Sequence, residues 1–360
     1  MIIGIDATRA NKPQKTGVEW YSYFLLREMV KLDRQITFRL YFNTPPEEGL
    51  QNLGPNVEYR QLRWPFKYLW TQLRLSAEML INSPDVLFIP AQIIPIIHAQ
   101  KTVTTMHDVA YEVYQDDLSW KSRAYLRLAA KWAKKYCAKI ITVSNFSQQE
   151  IIKYYEIPAE KIQVTYLGLS NREKIPPLPA TKENYLIYVG RLESKKNISQ
   201  LIRVFQAIRQ TDWGKEIKLH LVGYPSRGWD EAEELIKTFG LELAVIQHGW
   251  VSEEEKYRLI AQAQAYLHLA KYEGFGFGPI EAMACGTPVI INNAASLPEI
   301  CGQAAVLVDA NNIDQVVKAV HNLYNNTNLR QELIEQGLIH SKEFIWAKTA
   351  QQTLNILKTV

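Results

Sequence analysis

The sequence predicts an α/β protein built from two doubly wound parallel-sheet domains, and three observations predict it. A chain of 360 residues, 47% of them hydrophobic, exceeds one ordinary core, and roughly 150 residues per domain makes two. Short apolar β-type runs alternate with longer helical patterns, the order that gives parallel strands covered by helices on both faces. The alternation stops at a proline-rich stretch and then starts again. Two lobes imply a cleft between them.

In the first half, strands are read at IIGID, TFRLYFN, DVLFIP, KTVTTMHD, AKIITVS and KIQVTYLG. After the first comes Lys15-Thr16-Gly17-Val18, then a helix with Tyr21, Leu25, Met29 and Leu32 at apolar spacing, which sets Gly17 in a tight strand-to-helix turn. Trp64-Pro65-Phe66-Lys67-Tyr68-Leu69-Trp70 opens an aromatic and basic segment, Trp64 to Arg74, equally consistent with a core-packed helix and with one lying on a membrane surface. From Leu118 to Gln149 there are seven Lys or Arg and no acid. Arg123, Arg127, Lys131 and Lys135 recur there at i, i+4, so one helix face is basic. Such a stripe is either a solvated face or a docking face for an anionic membrane or acidic acceptor, where each basic residue contributes about 1 kcal/mol.

Residues 171–184, NREKIPPLPATKEN, hold three prolines and mixed charge without periodicity, as an interdomain linker does. The predicted domains are therefore 1–170 and 185–342. The second set of strands is YLIYVG, IKLHLVG, LAVIQHG, AQAYLHLA, TPVIINN and AAVLVD, with one intervening helix opened by Ser252 and Glu255 as a capping box. After Asp309 the pattern is helical throughout. A final helix, residues 343–360, is expected to cross back onto the first domain.

Several classes are set aside. No uncharged apolar run approaches eighteen residues, and MIIGIDATR reads as a buried strand without the basic start of a signal peptide, so the expected location is cytoplasmic. Cys137, Cys285 and Cys301 lack metal or redox spacing and read as reduced core residues. A net charge of +4 is mild and does not indicate nucleic acid. No Asp-x-Asp pair or His/Cys/carboxylate cluster occurs, so neither metal nor other cofactor is expected. Gly-x-Ser-x-Gly, Walker and complete Gly-x-Gly-x-x-Gly motifs are missing, the last because position 279 is Pro.

The chemistry concentrates in KYEGFGFGPIEAMACGTP, Lys271 to Pro288. Gly274, Gly276 and Gly278 precede a helix, so backbone amides and the positive end of the helix dipole can cradle a diphosphate. Glu273 and Glu281 flank that loop, eight positions apart. Each carboxylate oxygen accepts a hydrogen bond, which suits the vicinal hydroxyls of a sugar. At the end of YLIYVG, Gly190 and Arg191 are followed by Lys196, two cations placed at a strand's carboxyl end to meet a leaving group whose charge grows.

These motifs together resemble those of the retaining glycosyltransferases of family 4. Glu273 to Glu281 is similar to the family's Glu-x7-Glu motif, Ala282 to Pro288 to its continuation, and Gly190-Arg191-Leu192 with Lys196 to its Gly-Arg-Leu element. Further likenesses run through Val143 to Ser147, Tyr166 to Gly168, Leu221 to Gly223 and Gln247 to Gly249, so the resemblance spans nearly the whole chain. It implies the GT-B fold: two Rossmann-like domains facing across a cleft, the terminal helix returning to the first. It also implies that Glu273 contacts the donor sugar and Glu281 the ribose, with amides around Phe275, Gly276 and Phe277 meeting sugar and phosphate. Gly17 would approach the phosphate and His107 the transferred sugar, while the loops after Gly223 and around Val251 would contact the base. The implied reaction is metal-independent hexosyl transfer with retention, from a nucleotide diphosphate sugar to a saccharide or lipid-linked acceptor. The opening Ile-Gly-Ile-Asp-Ala and Leu69 to Leu75 look most like bacterial members that add mannose, which implies GDP-mannose. UDP-linked glucose, galactose or N-acetylglucosamine is the alternative. A nucleotide-sugar-binding subunit without turnover would keep Glu281 and Arg191 but need neither Gly17 nor His107.

Overall fold

The computed structural model describes residues 1–66 and 68–360; Lys67, which the sequence groups with the aromatic segment before Trp70, lies outside the described residues. The chain forms two units, Met1–Ser170 with Ile345–Val360, and Asn171–Phe344.

The first unit holds a parallel sheet of β1 (Ile2–Asp6), β2 (Thr37–Phe42), β3 (Val57–Gln61), β4 (Val86–Ile89), β5 (Thr102–Thr105), β6 (Lys139–Thr142) and β7 (Ile162–Val164), in the order β3-β2-β1-β4-β5-β6-β7. Strand β1 is central, pairing Ile3 with Phe38 of β2 and Val86 of β4. Being covered on both faces, it is apolar along its length rather than alternating. Strand β3 is absent from the sequence reading for the opposite reason. It pairs only with β2 at the sheet edge, so VEYRQ stays half-exposed and polar.

The aromatic segment becomes helical only at Trp70, not at Trp64. Leu69 enters with φ +67°, a π-helical turn spans Trp70–Leu75, and an α-helix continues over Ser76–Ile81. The last helix of the chain, Trp346–Thr359, packs on the helix Gly17–Leu32 within the same unit. Trp346 stacks on Phe24 at 5.6 Å, Thr349 Oγ1 donates to the Tyr166 carbonyl at 2.6 Å, and Lys358 reaches Asp33 at 2.6 Å.

The second unit holds β8 (Tyr185–Val189), β9 (Lys218–Val222), β10 (Val245–Gly249), β11 (Ala265–His268), β12 (Val289–Asn292) and β13 (Val306–Val308), all parallel, in the order β10-β9-β8-β11-β12-β13. Leu186, Leu219, Leu221, Leu267 and Ile290 form its core with Phe205 and Ile202 of the covering helix Ile198–Arg209. Ser252 caps the helix Glu253–Gln262 by accepting from the Glu255 amide at 3.2 Å, but the expected capping box is only half made. The Glu255 carboxylate turns instead onto Arg258 at 2.6 and 2.7 Å.

Residues 171–184 are not a free linker. They belong to the second unit, where Asn171 Nδ2 donates to Glu253 at 2.8 Å and Lys174 pairs with Glu254 at 2.8 Å. Lys182 is the firmest tie, since its ammonium donates to the carbonyls of Ala261 and Gly286 and to Thr287 Oγ1 at 2.5 to 3.0 Å. It thereby satisfies carbonyls at two helix ends that have no partner inside their own helices. Replacing Lys182 with Met should remove about 1–3 kcal/mol from the second unit and lower its Tm by roughly 2–4 °C per kcal/mol. Thermal unfolding checks this, and an unshifted transition would return the segment to a passive connection.

Candidate active site

A doubly wound sheet opens a crevice where the strand order reverses, beyond the carboxyl ends of the two strands that diverge there. In the second unit that point lies between β8 and β11. The loops leaving these two strands are the ones that carry Gly190-Arg191 and the glycine-rich run.

Beyond β8, the Gly190 amide donates to the Val222 carbonyl at 2.9 Å and the Gly223 amide to the Gly249 carbonyl at 2.8 Å, lacing together the ends of β8, β9 and β10. Arg191 is exposed, its nearest acid Glu193 at 3.5 Å. Beyond β11 the backbone is held by side chains. Asn197 donates to the Leu269 carbonyl at 3.0 Å, Asn292 to that of Ala270 at 2.9 Å, and Ser296 Oγ lies 2.9 Å from the carbonyls of both Glu273 and Phe275.

The loop ends at Gly276, whose φ of +100° caps the helix Phe277–Ala284 in a conformation that favours glycine. Gly278 is required for closeness: a Cβ there would collide with the Tyr266 hydroxyl, which donates to the Val189 carbonyl at 2.9 Å. Pro279 falls in the first turn, where its missing N–H costs no helical bond. Phe275 is buried, packed 5.4 Å from Phe277 and 5.8 Å from Phe344. Its side chain therefore serves the core, and backbone amides at the helix start are what the loop offers an anion.

The two carboxylates are both largely buried and both paired. Lys196 binds Glu273 Oε1, and His268 Nε2 lies 3.0 Å from the same oxygen. Burial alone would raise the Glu273 carboxyl, but Lys196 and the His268 hydrogen bond more than offset it and hold the group well below the usual carboxylate range. Glu281 pairs with Lys256 at 2.8 Å, and Lys256 also reaches Glu253 at 2.8 Å. Burial works against the Lys256 charge, yet its two carboxylates raise its pKa overall.

In the first unit the order reverses between β1 and β4. The connection after β1 is a ten-residue loop rather than a tight turn, and Gly17 is the first residue of the following helix. His107 follows β5 and packs edge-on to Tyr21 at 4.6 Å, with Nε2 3.1 Å from the Pro90 carbonyl. A carbonyl only accepts, so Nε2 carries the proton and Nδ1 the lone pair. Burial lowers its pKa and keeps it neutral. Beside this reversal point lies a depression of about 280 Å³ lined by Thr8, Arg9, Lys12, Asn43, Thr71 and Gln72 among others.

The structure thus brings Gly190, Arg191, Lys196, Glu273, Gly274, Phe275, Gly276, Phe277 and Glu281 to one reversal point, with Gly223 and Val251 on the neighbouring connections after β9 and β10. Gly17 and His107 belong to the other unit. The sequence reading missed Lys256 and His268. Neither lies at a motif spacing, and the glutamates of the glycine-rich segment that they meet are 25 and 5 residues away. It also overstated the basic stripe: Arg127 is fixed on Glu112 by hydrogen bonds of 2.5 to 3.0 Å, and Arg123 on the Gln115 carbonyl at 3.0 Å.

Two doubly wound parallel α/β units are the architecture of the GT-B fold. Sequence comparison agrees: the model for glycosyl transferases group 1 matches residues 170–339, and that for glycosyltransferase family 4 matches residues 15–171. The chain belongs to this family, the group 1 glycosyltransferases of family 4. The O-antigen chain mannosyltransferase B of Escherichia coli is 28% identical over 315 residues, covering 84% of this chain and 80% of that protein. Among solved structures, the sucrose-phosphate synthase of Thermosynechococcus elongatus superposes with a TM-score of 0.77 at 18% identity, over 99% of this chain and 98% of that one. HepE of Anabaena, in complex with UDP-glucose, gives 0.75 at 18% identity over 100% and 99%.

Removing one partner of a buried ion pair strands a charge, which costs about 3–5 kcal/mol. Lys196→Met should therefore destabilise the second unit by that amount, and Lys196→Met/Glu273→Leu should recover much of it in denaturant unfolding. The sign in pH follows from the depressed carboxyl. Its stability is fully present above the unfolded value of about 4.3 and is lost as pH falls through the folded one, so removing Lys196 should bring acid unfolding on at higher pH. Equal stability of the single and double variants would refute the pairing.

Proposed function

We propose that the chain is a metal-independent, retaining hexosyltransferase that moves mannose from GDP-mannose to a saccharide or lipid-linked acceptor in surface-glycan synthesis. The observation that carries the reading is the pair of buried, cation-held carboxylates flanking a helix N-terminus at the β8/β11 reversal. Carboxylates seated against lysines accept hydroxyl hydrogens, and the amides between them suit a diphosphate. In this reading Glu273 holds the sugar and Glu281 the ribose. Arg191, exposed and weakly paired, takes the departing diphosphate, with Lys196 adding charge from its seat on Glu273. The connections bearing Gly223 and Val251 supply base contacts. Neutral His107 keeps Nδ1 for a sugar hydroxyl, and Gly17 offers an amide at a helix start.

Charge on the leaving group is met by cations and amides already in place, a role that a metal fills elsewhere. The diphosphate itself takes the acceptor's proton during attack on the face it leaves. The sugar assignment draws on the O-antigen mannosyltransferase relative. A UDP-hexose is the second reading, favoured by the fold's likeness to HepE, whose complex contains UDP-glucose. The polar depression beside Arg9 and Lys12 is the proposed acceptor pocket. Thermal stabilisation by GDP-, UDP-, ADP- and dTDP-sugars without added metal tests the donor. GDP-mannose at a hundred times its Kd should add about 2.7 kcal/mol, Glu281→Ala should abolish most of that, and Arg191→Ala should bind donor but lose about 2 kcal/mol or more of transition-state stabilisation. No shift with any donor would overturn the reading.

Among the described residues no helix is long and apolar enough to cross a membrane. The proposed location is the cytoplasmic face of a membrane, bound peripherally. The helix Trp120–Tyr136 supports this by turning Trp120 (68% exposed), Leu128 (59%), Lys131 and Lys135 outward on one face, apolar groups beside cations. Flotation should show salt-sensitive binding to anionic liposomes that Lys131→Glu/Lys135→Glu weakens; equal binding by that variant would dismiss the face.

A further inference from the structure

We infer that His268 is a positioning residue for the sugar-binding carboxylate, an inference that rests on the assignment of Glu273 to the donor sugar. His268 ends β11, is 2% exposed, and points its Nε2 at Glu273 Oε1. Its ring lies near-parallel to those of Tyr188 (5.5 Å, 23°) and Tyr266 (6.0 Å, 11°). Those tyrosines are themselves fixed, Tyr188 by donating to the Arg191 carbonyl at 3.2 Å and Tyr266 to that of Val189 at 2.9 Å. The imidazole has little freedom to turn.

Its protonation follows from its surroundings. Nδ1 is buried and has no hydrogen-bond partner among the described residues. A second N–H there would be a stranded donor, more costly than a lone pair, so the ring stays neutral with its one proton on Nε2, donated to the carboxylate. The direction of its pKa, lowered by burial, agrees.

Lys196 and His268 do different things to Glu273. An ammonium on a flexible four-carbon stem supplies charge with little direction. A buried ring packed near-parallel to two fixed tyrosines supplies direction. Both donors fall on Oε1, and no hydrogen bond reaches Oε2 among the described residues, so the carboxylate is turned to present one open oxygen. That oxygen is the acceptor for a donor-sugar hydroxyl, and the nucleotide is not touched.

The discriminating measurement is calorimetric binding of GDP-mannose and of GDP alone, or of whichever nucleotide sugar and nucleotide the donor panel selects. His268→Phe keeps a ring against the tyrosines and deletes the donor; His268→Gln restores an N–H near the same place. The Phe variant should bind the nucleotide sugar about tenfold more weakly, the loss of one hydrogen bond to a charged group, while GDP binding stays within about twofold. The Gln variant should recover most of the difference. Wild-type sugar affinity in the Phe variant, parallel loss of GDP binding, or failure of Gln to rescue would each overturn the inference. Glu273→Gln, measured alongside, separates the two levels: if it leaves nucleotide-sugar affinity unchanged, the assignment of Glu273 fails. If it weakens that affinity and His268→Phe does not, only the role of His268 fails.

Discussion

The two buried carboxylates of the second unit dictate what is built around them. An ionised carboxylate withdrawn from water costs several kcal/mol unless a cation accompanies it. Each of the two is met by a lysine from a different connection: Glu273 by Lys196 from the turn after β8, Glu281 by Lys256 from the helix Glu253–Gln262. The pairs therefore pin both ends of the glycine-rich segment to neighbouring elements. Between those pins the helix must lie close to the strand ends, and Gly278 and the Tyr266 hydroxyl show how close. Charge compensation, rather than the glycines alone, fixes where the helix N-terminus points.

Much of this was legible in the sequence because parallel strands are apolar throughout and motifs sit at their ends. Strands such as YLIYVG and TPVIINN announce themselves, and the loops carrying Arg191 and Glu273 follow directly. What was not legible depends on exposure and on distant partners. VEYRQ forms an edge strand, and an edge needs no apolar run. NREKIPPLPATKEN has a linker's composition, and only tertiary contacts reveal that Lys182 closes two helix ends. Lys196 and Glu273 were each found, but 77 residues separate them, and no periodicity shows that they meet.

The same rule governs the first unit. Glu112 is buried, accepts from Arg127 and from the Tyr155 hydroxyl at 2.5 Å, and its carboxyl lies below the ordinary range: burial would raise it, and these partners outweigh burial. Arg127 is thus consumed by an internal debt of charge, and the outer face of its helix is left to Trp120, Leu128, Lys131 and Lys135. A basic stripe in sequence counts cations; the structure separates those that balance buried acids from those that remain available to a surface.

That division also bears on specificity. In the proposed reading Glu273 and Glu281 accept from hydroxyls common to every nucleotide hexose, so they cannot by themselves choose the base. In the proposed reading that choice falls to the connections after β9 and β10, where Tyr224 and Trp250 stand 58% and 62% exposed beside Gly223 and Val251. These residues make few demands on the core, unlike the buried pairs. In that reading the site can alter its nucleotide without disturbing the charge balance around Glu273, because the two proposed tasks fall to separate loops of one sheet.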